Sequence, residues 1–193
     1  IVGHADAMLS RLFRKSTDDH ANFQAPLATR VYAIGDIHGQ LELLRQLRTL
    51  ITDDAEADRR ERNVVVYLGD YIDRGPDSRG VVELLLNEPL PGFEEIHLKG
   101  NHEDFMLQFL DNPVVGGHWY LNGGDSTLES YGVESAVKMD GLPRFIAICD
   151  QLRRKLPVEH LAFLRSLALY HVEGDYLFVH AGIRPGRPID KQE

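Results

Sequence analysis

The sequence contains four short apolar runs, and a glycine or a histidine follows each run within two residues. Runs that are rich in β-branched and aromatic residues and end at such a break are typical of buried β-strands. The pattern therefore predicts strands over residues 30–34, 64–68, 95–98 and 176–179. A further apolar run, residues 168–172, is separated from the last strand by a Glu-Gly-Asp turn, which predicts a β-hairpin.

Helical patterns follow the first three strands. Leucines at helical spacing predict a helix over residues 41–51, and similar patterns predict helices over 79–87 and 103–110. Residues 53–63 are rich in charge and are expected to form a solvated loop. Three β-loop-α units followed by a hairpin indicate an α/β fold with a mixed sheet.

The alternation of strand and helix is lost over residues 111–167. This stretch is interpreted as a helical insertion that lies over the strand ends, with helices over residues 145–152 and 157–167. The pattern leaves open whether the insertion shapes a substrate cleft or serves only as a structural cap.

Length and charge narrow the class of protein. The chain has 193 residues, which suits one domain, and its formal net charge is −9. Binders of nucleic acid need a basic surface, so we expect no nucleic-acid partner. The chain has no apolar run of membrane-spanning length and no signal-peptide pattern, so we expect a cytoplasmic protein without membrane contact.

The domain boundaries follow from the same patterns. Residues 1–29 are predicted to form an N-terminal arm, in which residues 1–7 precede Met8 and are interpreted as a vector-derived remnant. Residues 30–193 are predicted to form a single domain that includes the insertion.

Polar side chains suited to metal binding follow each of the four strands. Asp36 and His38 follow the first, Asp70 the second, Asn101 the third and His180 the last. An isolated Asp-x-His is more often a solvated turn than a metal site. Here, however, four strands in succession end in a metal-binding residue type, and no structural requirement common to the four ends explains this. Oxygen and imidazole donors at a common sheet edge predict a metal site. A carboxylate at Asp70 could bridge two ions, which is an arrangement found in hydrolases.

The motifs GDIHG, GDYIDRG, GNHE and HAG, in this order over residues 31–186, resemble the signature of the calcineurin-like metallophosphoesterases. Within them, the chain is similar to the bacterial serine/threonine phosphatases of the phosphoprotein phosphatase family. The resemblance implies a β-sandwich of mixed sheets flanked by helices, here without its C-terminal strands, and makes residues 30–193 the catalytic domain. It also implies a phosphomonoester hydrolase that uses a metal-activated water on a phosphorylated protein or peptide.

The resemblance also implies a role for each site residue. Asp36, His38 and Asp70 would hold one divalent ion, and Asp70, Asn101 and His180 a second. Mn²⁺ is the expected metal, with Fe, Zn or Ni also compatible with these donors.

The same family pattern assigns the acid and the phosphate contacts. His102 would be the general acid, oriented by Asp73, and Arg74 together with Asn101 would contact the substrate phosphate. A third metal ligand is the alternative for His102, and a surface ion pair with Asp77 or Glu103 is the alternative for Arg74.

One expected ligand is missing. The family has a further metal-binding histidine in a later segment resembling GHT, and the sequence contains no such segment before its last residue, Glu193. His171 lies within an apolar strand and is not a convincing replacement. Either the chain is a shortened form, which the missing strands favour, or the second ion lacks a ligand.

Three functions therefore remain open. A protein serine/threonine phosphatase is the leading hypothesis, and a diadenosine tetraphosphate hydrolase of the same superfamily is the alternative. A metal-binding module without catalysis is a third hypothesis, motivated by the incomplete ligand set. The physiological substrate, the metal and the oligomeric state are not determined by the sequence.

Overall fold

The computed structural model describes residues 23–134 and 139–192. Three parallel strands form its first sheet, in the order β1-β2-β3. Their bounds are β1 Thr29–Ile34, β2 Arg62–Tyr67 and β3 Phe93–His97. Helices α1 Leu41–Ala57, α2 Ser78–Asn87 and α3 Asn101–Asp111 each follow one strand. The predicted β-loop-α units are thereby confirmed.

The central strand β2 is covered on both faces. Val65 and Tyr67 point into the main core with the helices, whereas Val64 and Val66 pack with Leu98 against the opposite layer. Residues 64–67 are all fully buried. Burial on both faces explains why this strand is a continuous apolar run rather than an alternating one.

A hairpin supplies the opposite layer. Strands β4 Tyr170–Glu173 and β5 Tyr176–Val179 pair antiparallel, and Phe178 packs against the cluster formed by Val64, Val66 and Leu98. The expected fold class, an α/β structure with flanking helices, is confirmed. The hairpin does not extend the first sheet, because its link to β3 is a single parallel bridge between Leu98 and Ala168. The strands therefore form one parallel and one antiparallel sheet instead of a single mixed sheet.

The insertion is helical, as expected. It contains a 3₁₀ turn Pro113–Val115, α4 Gly116–Trp119, a π-helical turn Tyr120–Gly124, α5 Asp125–Ser130, α6 Gly141–Lys155 and α7 Val158–Ser166. A final 3₁₀ turn covers Ile189–Lys191.

One predicted loop is wrong in part. Helix α1 continues to Ala57, through the first residues of the charge-rich stretch that was expected to form a loop over 53–63. Ala55 is buried one turn beyond Ile51, so the buried stripe of the helix extends past the leucines. Burial of Ala55 stabilises the last turn of the helix, although the sequence around it is rich in charged residues.

The N-terminal end of the described chain is tied to the hairpin. The backbone N–H of Gln24 donates to the Asp175 carboxylate (3.2 Å), and the Tyr176 hydroxyl donates to the carbonyl of Phe23 (3.2 Å). Most of the predicted arm, residues 1–22, lies outside the described residues, and the domain boundaries stay predictions. Among the helices of residues 23–134 and 139–192, none is both long and apolar enough to cross a membrane.

Candidate metal centre

The polar residues predicted at the four strand ends meet at one edge of the fold. Asp70 lies at the centre, with its Oδ2 atom 3.4 Å from His180 Nε2 and 3.9 Å from His38 Nε2. Asp36 Oδ2 is 3.9 Å from His38 Nε2, and Asn101 Oδ1 is 3.1 Å from His180 Nε2. All five side chains predicted as metal ligands are therefore brought together from β1, β2, β3 and β5.

Two of the imidazoles are oriented by the backbone. His38 Nδ1 lies 2.9 Å from the carbonyl oxygen of Ile72, and His180 Nδ1 lies 2.9 Å from that of Leu68. A carbonyl oxygen only accepts hydrogen bonds, so each Nδ1 carries the proton and each Nε2 keeps its lone pair. In each ring the lone pair is therefore on Nε2, the nitrogen that faces Asp70 Oδ2. A hydrogen bond of this kind fixes the tautomer that metal-binding histidines use.

The donor set fits divalent metal ions. Asp36, Asp70 and His180 place ligand atoms within 4.8 Å of one another, and so do His38, Asp70 and His102. Asp70 belongs to both groups, and its side chain is only 5% exposed. A buried carboxylate requires compensation by positive charge, and mixed oxygen and imidazole donors suit Mn, Fe, Zn or Ni ions.

The loops that carry these side chains adopt an uncommon backbone conformation. Five non-glycine residues of the described chain have a positive φ angle, and four of them belong to this site: His38 (44°), Asp70 (54°), Asp73 (73°) and Arg74 (65°). Side chains with a Cβ disfavour this region, and each such residue costs on the order of 1–3 kcal/mol. The concentration of this strain in one place is typical of a functional site.

Glycines allow two of the loops to touch. A Cβ atom on Gly69 would lie 2.4 Å from the backbone nitrogen of Gly100, and one on Gly100 would lie 2.0 Å from Asp70 Oδ1. The loop after β2 therefore packs directly against the start of α3. The Gly69-Asp70 and Gly100-Asn101 pairs of the sequence have this contact as their physical reason.

Glu103 organises this contact, and sequence reasoning missed its role. Its carboxylate accepts backbone N–H groups from Asp70 (2.9 Å), Tyr71 (2.8 Å), Gly100 (2.9 Å) and, at 3.4 Å, Ile72. Burial, reinforced by the negative charge of Asp70, raises the pKa of Glu103 to about 7. Its position three residues after Gly100, as in a helix capping box, is the sequence signal that could have identified it.

His102 and Asp73 form a buried pair beside the metal ligands. His102 Nδ1 lies 2.7 Å from Asp73 Oδ2, and the exposed fractions of the two side chains are 2% and 0%. The hydrogen bond to Asp73 raises the pKa of His102, against the opposing effect of burial. His102 Nε2 is 3.9 Å from Asp70 Oδ2. This position is compatible with a proton donor facing the site and also with the alternative of a third ligand.

Arg74 faces the same site. Its Nη1 atom donates to His38 Nε2 at 2.8 Å. Asp77 instead caps helix α2 by accepting the N–H of Gly80, and the Glu103 carboxylate is occupied by backbone amides. Within the described residues Arg74 therefore forms no ion pair with either acid. An ion at His38 would use the same lone pair as Arg74, so the guanidinium has to release His38 when the ion binds.

His171 does not replace the missing ligand. Its Nε2 atom lies 3.2 Å from Glu173 Oε2, and Glu173 in turn accepts two hydrogen bonds from Arg62. These three residues belong to a polar network that joins the hairpin to β2. This placement agrees with the expectation that His171 is not a convincing replacement for the missing ligand.

Comparison with known proteins connects this geometry to a family. The family model for calcineurin-like phosphoesterases matches residues 29–192. Serine/threonine-protein phosphatase 2 of Escherichia coli (strain K12) is 31% identical over 149 residues, which cover 74% of this chain and 63% of that protein. A symmetrical bis(5'-nucleosyl)-tetraphosphatase of Nitrosospira multiformis is 27% identical over 165 residues, covering 84% of this chain and 47% of that protein.

A solved structure has the same fold. The crystal structure of a candidate diadenosine tetraphosphatase superposes with a TM-score of 0.50 at 23% identity, covering 88% of this chain and 58% of that one. This chain spans between about half and just under two thirds of the two curated relatives. The match of the family model over most of its length shows that the chain belongs to the calcineurin-like phosphoesterase family.

Proposed function

We propose that the chain carries the catalytic site of a metal-dependent hydrolase of phosphomonoesters, with phosphoserine or phosphothreonine on a protein as the substrate. One observation carries this proposal: four donor side chains converge around Asp70, and His102 with its partner Asp73 lies directly beside them. The site therefore combines a place for cations with a proton donor, which hydrolysis of a phosphate ester requires.

Two ions that share Asp70 would be held by these side chains. Asp36 and His38 would complete the first set, and Asn101 and His180 the second, with Mn²⁺ as the preferred metal. When bound, the ions make water a stronger nucleophile and offset negative charge on the phosphoryl group.

The remaining residues act on the substrate. Arg74 binds phosphoryl oxygens with its planar guanidinium, which has the right geometry for two parallel hydrogen bonds. Asn101, whose Oδ1 atom lies 3.1 Å from His180 Nε2, adds a side-chain amide to the phosphate contacts. His102 donates the proton on Nε2 to the departing alkoxide, and Asp73 holds that imidazole in position through Nδ1.

Hydrolysis of a phosphoserine peptide, measured with and without Mn²⁺, tests this proposal. We expect Mn²⁺-dependent release of phosphate, and a loss of roughly a hundredfold or more in Asp70→Asn, since that variant removes the carboxylate common to both ligand sets. Asp53→Asn, which changes an exposed acid on α1, is the matched control. Equal rates in both variants would refute the assignment of the site.

A diadenosine tetraphosphatase is the second candidate function. The relative in Nitrosospira multiformis that covers 84% of this chain has that activity in its name, which supports the candidate. The YIDRG and GNHE motifs favour the phosphoprotein substrate. Rates on diadenosine tetraphosphate and on the phosphopeptide, compared in the same preparation, distinguish the two.

A metal-binding module without catalysis is the third candidate. Calorimetry that finds one ion per chain, together with no hydrolysis of either substrate, would favour it over both enzymes.

A further inference from the structure

Asp73 is held by the helical insertion as well as by its own loop. Its Oδ2 atom accepts the indole N–H of Trp119 (2.9 Å) in addition to His102 Nδ1, and its Oδ1 atom accepts the hydroxyl of Thr127 (2.6 Å). Trp119 is 1% exposed and Thr127 is fully buried. Both oxygens of the carboxylate are thus fixed by side chains that lie 46 and 54 residues further along the chain.

The backbone of Asp73 is fixed at the same point. Its N–H group donates to the hydroxyls of Thr127 (2.9 Å) and Ser78 (3.0 Å), while its φ angle is 73°. Thr127 therefore contacts Asp73 at both the backbone and the side chain. This double contact offsets part of the cost of the left-handed conformation.

The π-helical turn of the insertion contacts the next residue. The N–H of Arg74 donates to the carbonyl of Gly123 (3.1 Å). Gly123 has a φ angle of 102°, and a Cβ atom there would lie 2.9 Å from the Arg74 nitrogen. Only glycine permits this approach, so the turn sits directly on the backbone of the phosphate-binding arginine.

We propose that residues 119–127, the bracing segment, position the proton donor His102 and the phosphate-binding Arg74. Trp119 and Thr127 are positioning residues that act on His102 through Asp73. This inference rests on the proposed function. With both oxygens fixed, the Asp73 carboxylate cannot rotate, and the imidazole that donates to it cannot swing away from the site. The insertion is then part of the catalytic apparatus and not only a cap over the strand ends.

Leaving groups of different basicity test this role, because a mispositioned acid matters only where the leaving oxygen needs a proton. We expect Trp119→Phe and Thr127→Val to slow hydrolysis of phenyl phosphate about tenfold more than that of p-nitrophenyl phosphate, whose leaving group departs readily without protonation. Thr127→Ser keeps the hydroxyl and should restore the wild-type ratio. Ser130→Ala is the matched control, since Ser130 lies on the same helix and accepts the N–H of Arg79 without touching Asp73.

An equal loss on both esters in Trp119→Phe and Thr127→Val would overturn the inference, because a general loss of structure lowers both rates alike. Circular dichroism of each variant identifies any that does not fold, and the threonine pair then decides the question without the tryptophan variant.

A second measurement does not depend on turnover. Trp119 is the only tryptophan of the chain, so its indole N–H gives a single, assignable NMR resonance. We expect Asp73→Asn to move this resonance upfield. At a pH above the pKa of His102, where the ring is neutral, we expect its ¹⁵N spectra to show the Nδ1–H tautomer in the wild type and a tautomer mixture in Thr127→Val. An unmoved indole resonance, or an unchanged tautomer, would refute the bracing role. If the wild type hydrolyses neither ester, the proposed function fails while these spectra still decide the role of the segment.

Discussion

Asp70→Asn is expected to make the metal-free chain more stable and the metal-bound chain less stable. Asp70 is a nearly buried carboxylate that lies close to the carboxylates of Asp36 and Glu103, and its charge contributes to the raised pKa of Glu103. Without a cation, this charge opposes folding. With a cation, the same charge holds the ion.

The contacts of Asp70 set the size of the effect. Removing one of several neighbouring carboxylate charges relieves repulsion worth roughly 1–3 kcal/mol. In the wild type, the backbone N–H of His102 donates to Asp70 Oδ1 (3.1 Å). The side-chain oxygen of an asparagine can still accept this N–H, although the hydrogen bond weakens by about 1 kcal/mol because the acceptor is neutral. The new amide N–H can donate to the lone pair of His180 Nε2, which is 3.4 Å from Oδ2. Without metal, the first two effects give a net gain of about 0–2 kcal/mol, and the new hydrogen bond to His180 adds to it.

With metal bound, we expect the wild type to be more stable than Asp70→Asn. An ion that binds only the folded chain stabilises it by about 2.7 kcal/mol at a concentration of about a hundred times its Kd. We expect the wild type to show this gain and Asp70→Asn to lose most of it.

Urea unfolding at pH 7.5, with EDTA or with excess MnCl₂, measures both free energies of unfolding. Asp53→Asn should behave as the wild type in both buffers, because Asp53 is exposed on α1. Two results would refute this reasoning: a variant less stable than the wild type in EDTA, or a variant that gains as much from Mn²⁺ as the wild type does.

Two further predictions concern pH. Asp73 raises the pKa of His102, so Asp73→Asn should lower this pKa and move the alkaline limb of the pH–rate profile to lower pH. The same variant should reduce kcat/KM on phenyl phosphate about tenfold. An alkaline limb that does not move contradicts the assignment of His102 as the acid. Burial lowers the pKa of His97 to about 4, so this side chain stays neutral in the folded chain while the unfolded chain takes up a proton below about pH 6.5. The wild type should therefore lose about 2 kcal/mol of stability between pH 7 and pH 5, and His97→Phe, which keeps the ring stacked on Tyr67, should lose less; equal losses in urea titrations would contradict this assignment.

Local patterns in the sequence predict much of this site. Strand ends can be recognised because an apolar run that stops at glycine leaves a mark within a few residues, and parallel strands bring such ends to one edge. The sequence alone therefore predicts that Asp36, Asp70, Asn101 and His180 lie together, and the structure confirms that they meet.

Contacts between distant segments could not be predicted in this way. Trp119 and Thr127 carry no local sign that they hold Asp73, because their role depends on how the insertion folds back over the loop after β2. The buried position of Ala55 likewise depends on tertiary packing, which a charge-rich sequence hides.

The close contact between Gly69 and Gly100 has a consequence for how the site can change over time. The backbones of the two loops are in direct contact, and the Glu103 carboxylate accepts N–H groups from both, so neither loop can be displaced without moving the other. Asp70 and Asn101, which follow neighbouring strands, are therefore expected to move together. A substitution at Gly69 or Gly100 is therefore expected to displace Asp70 and Asn101 together.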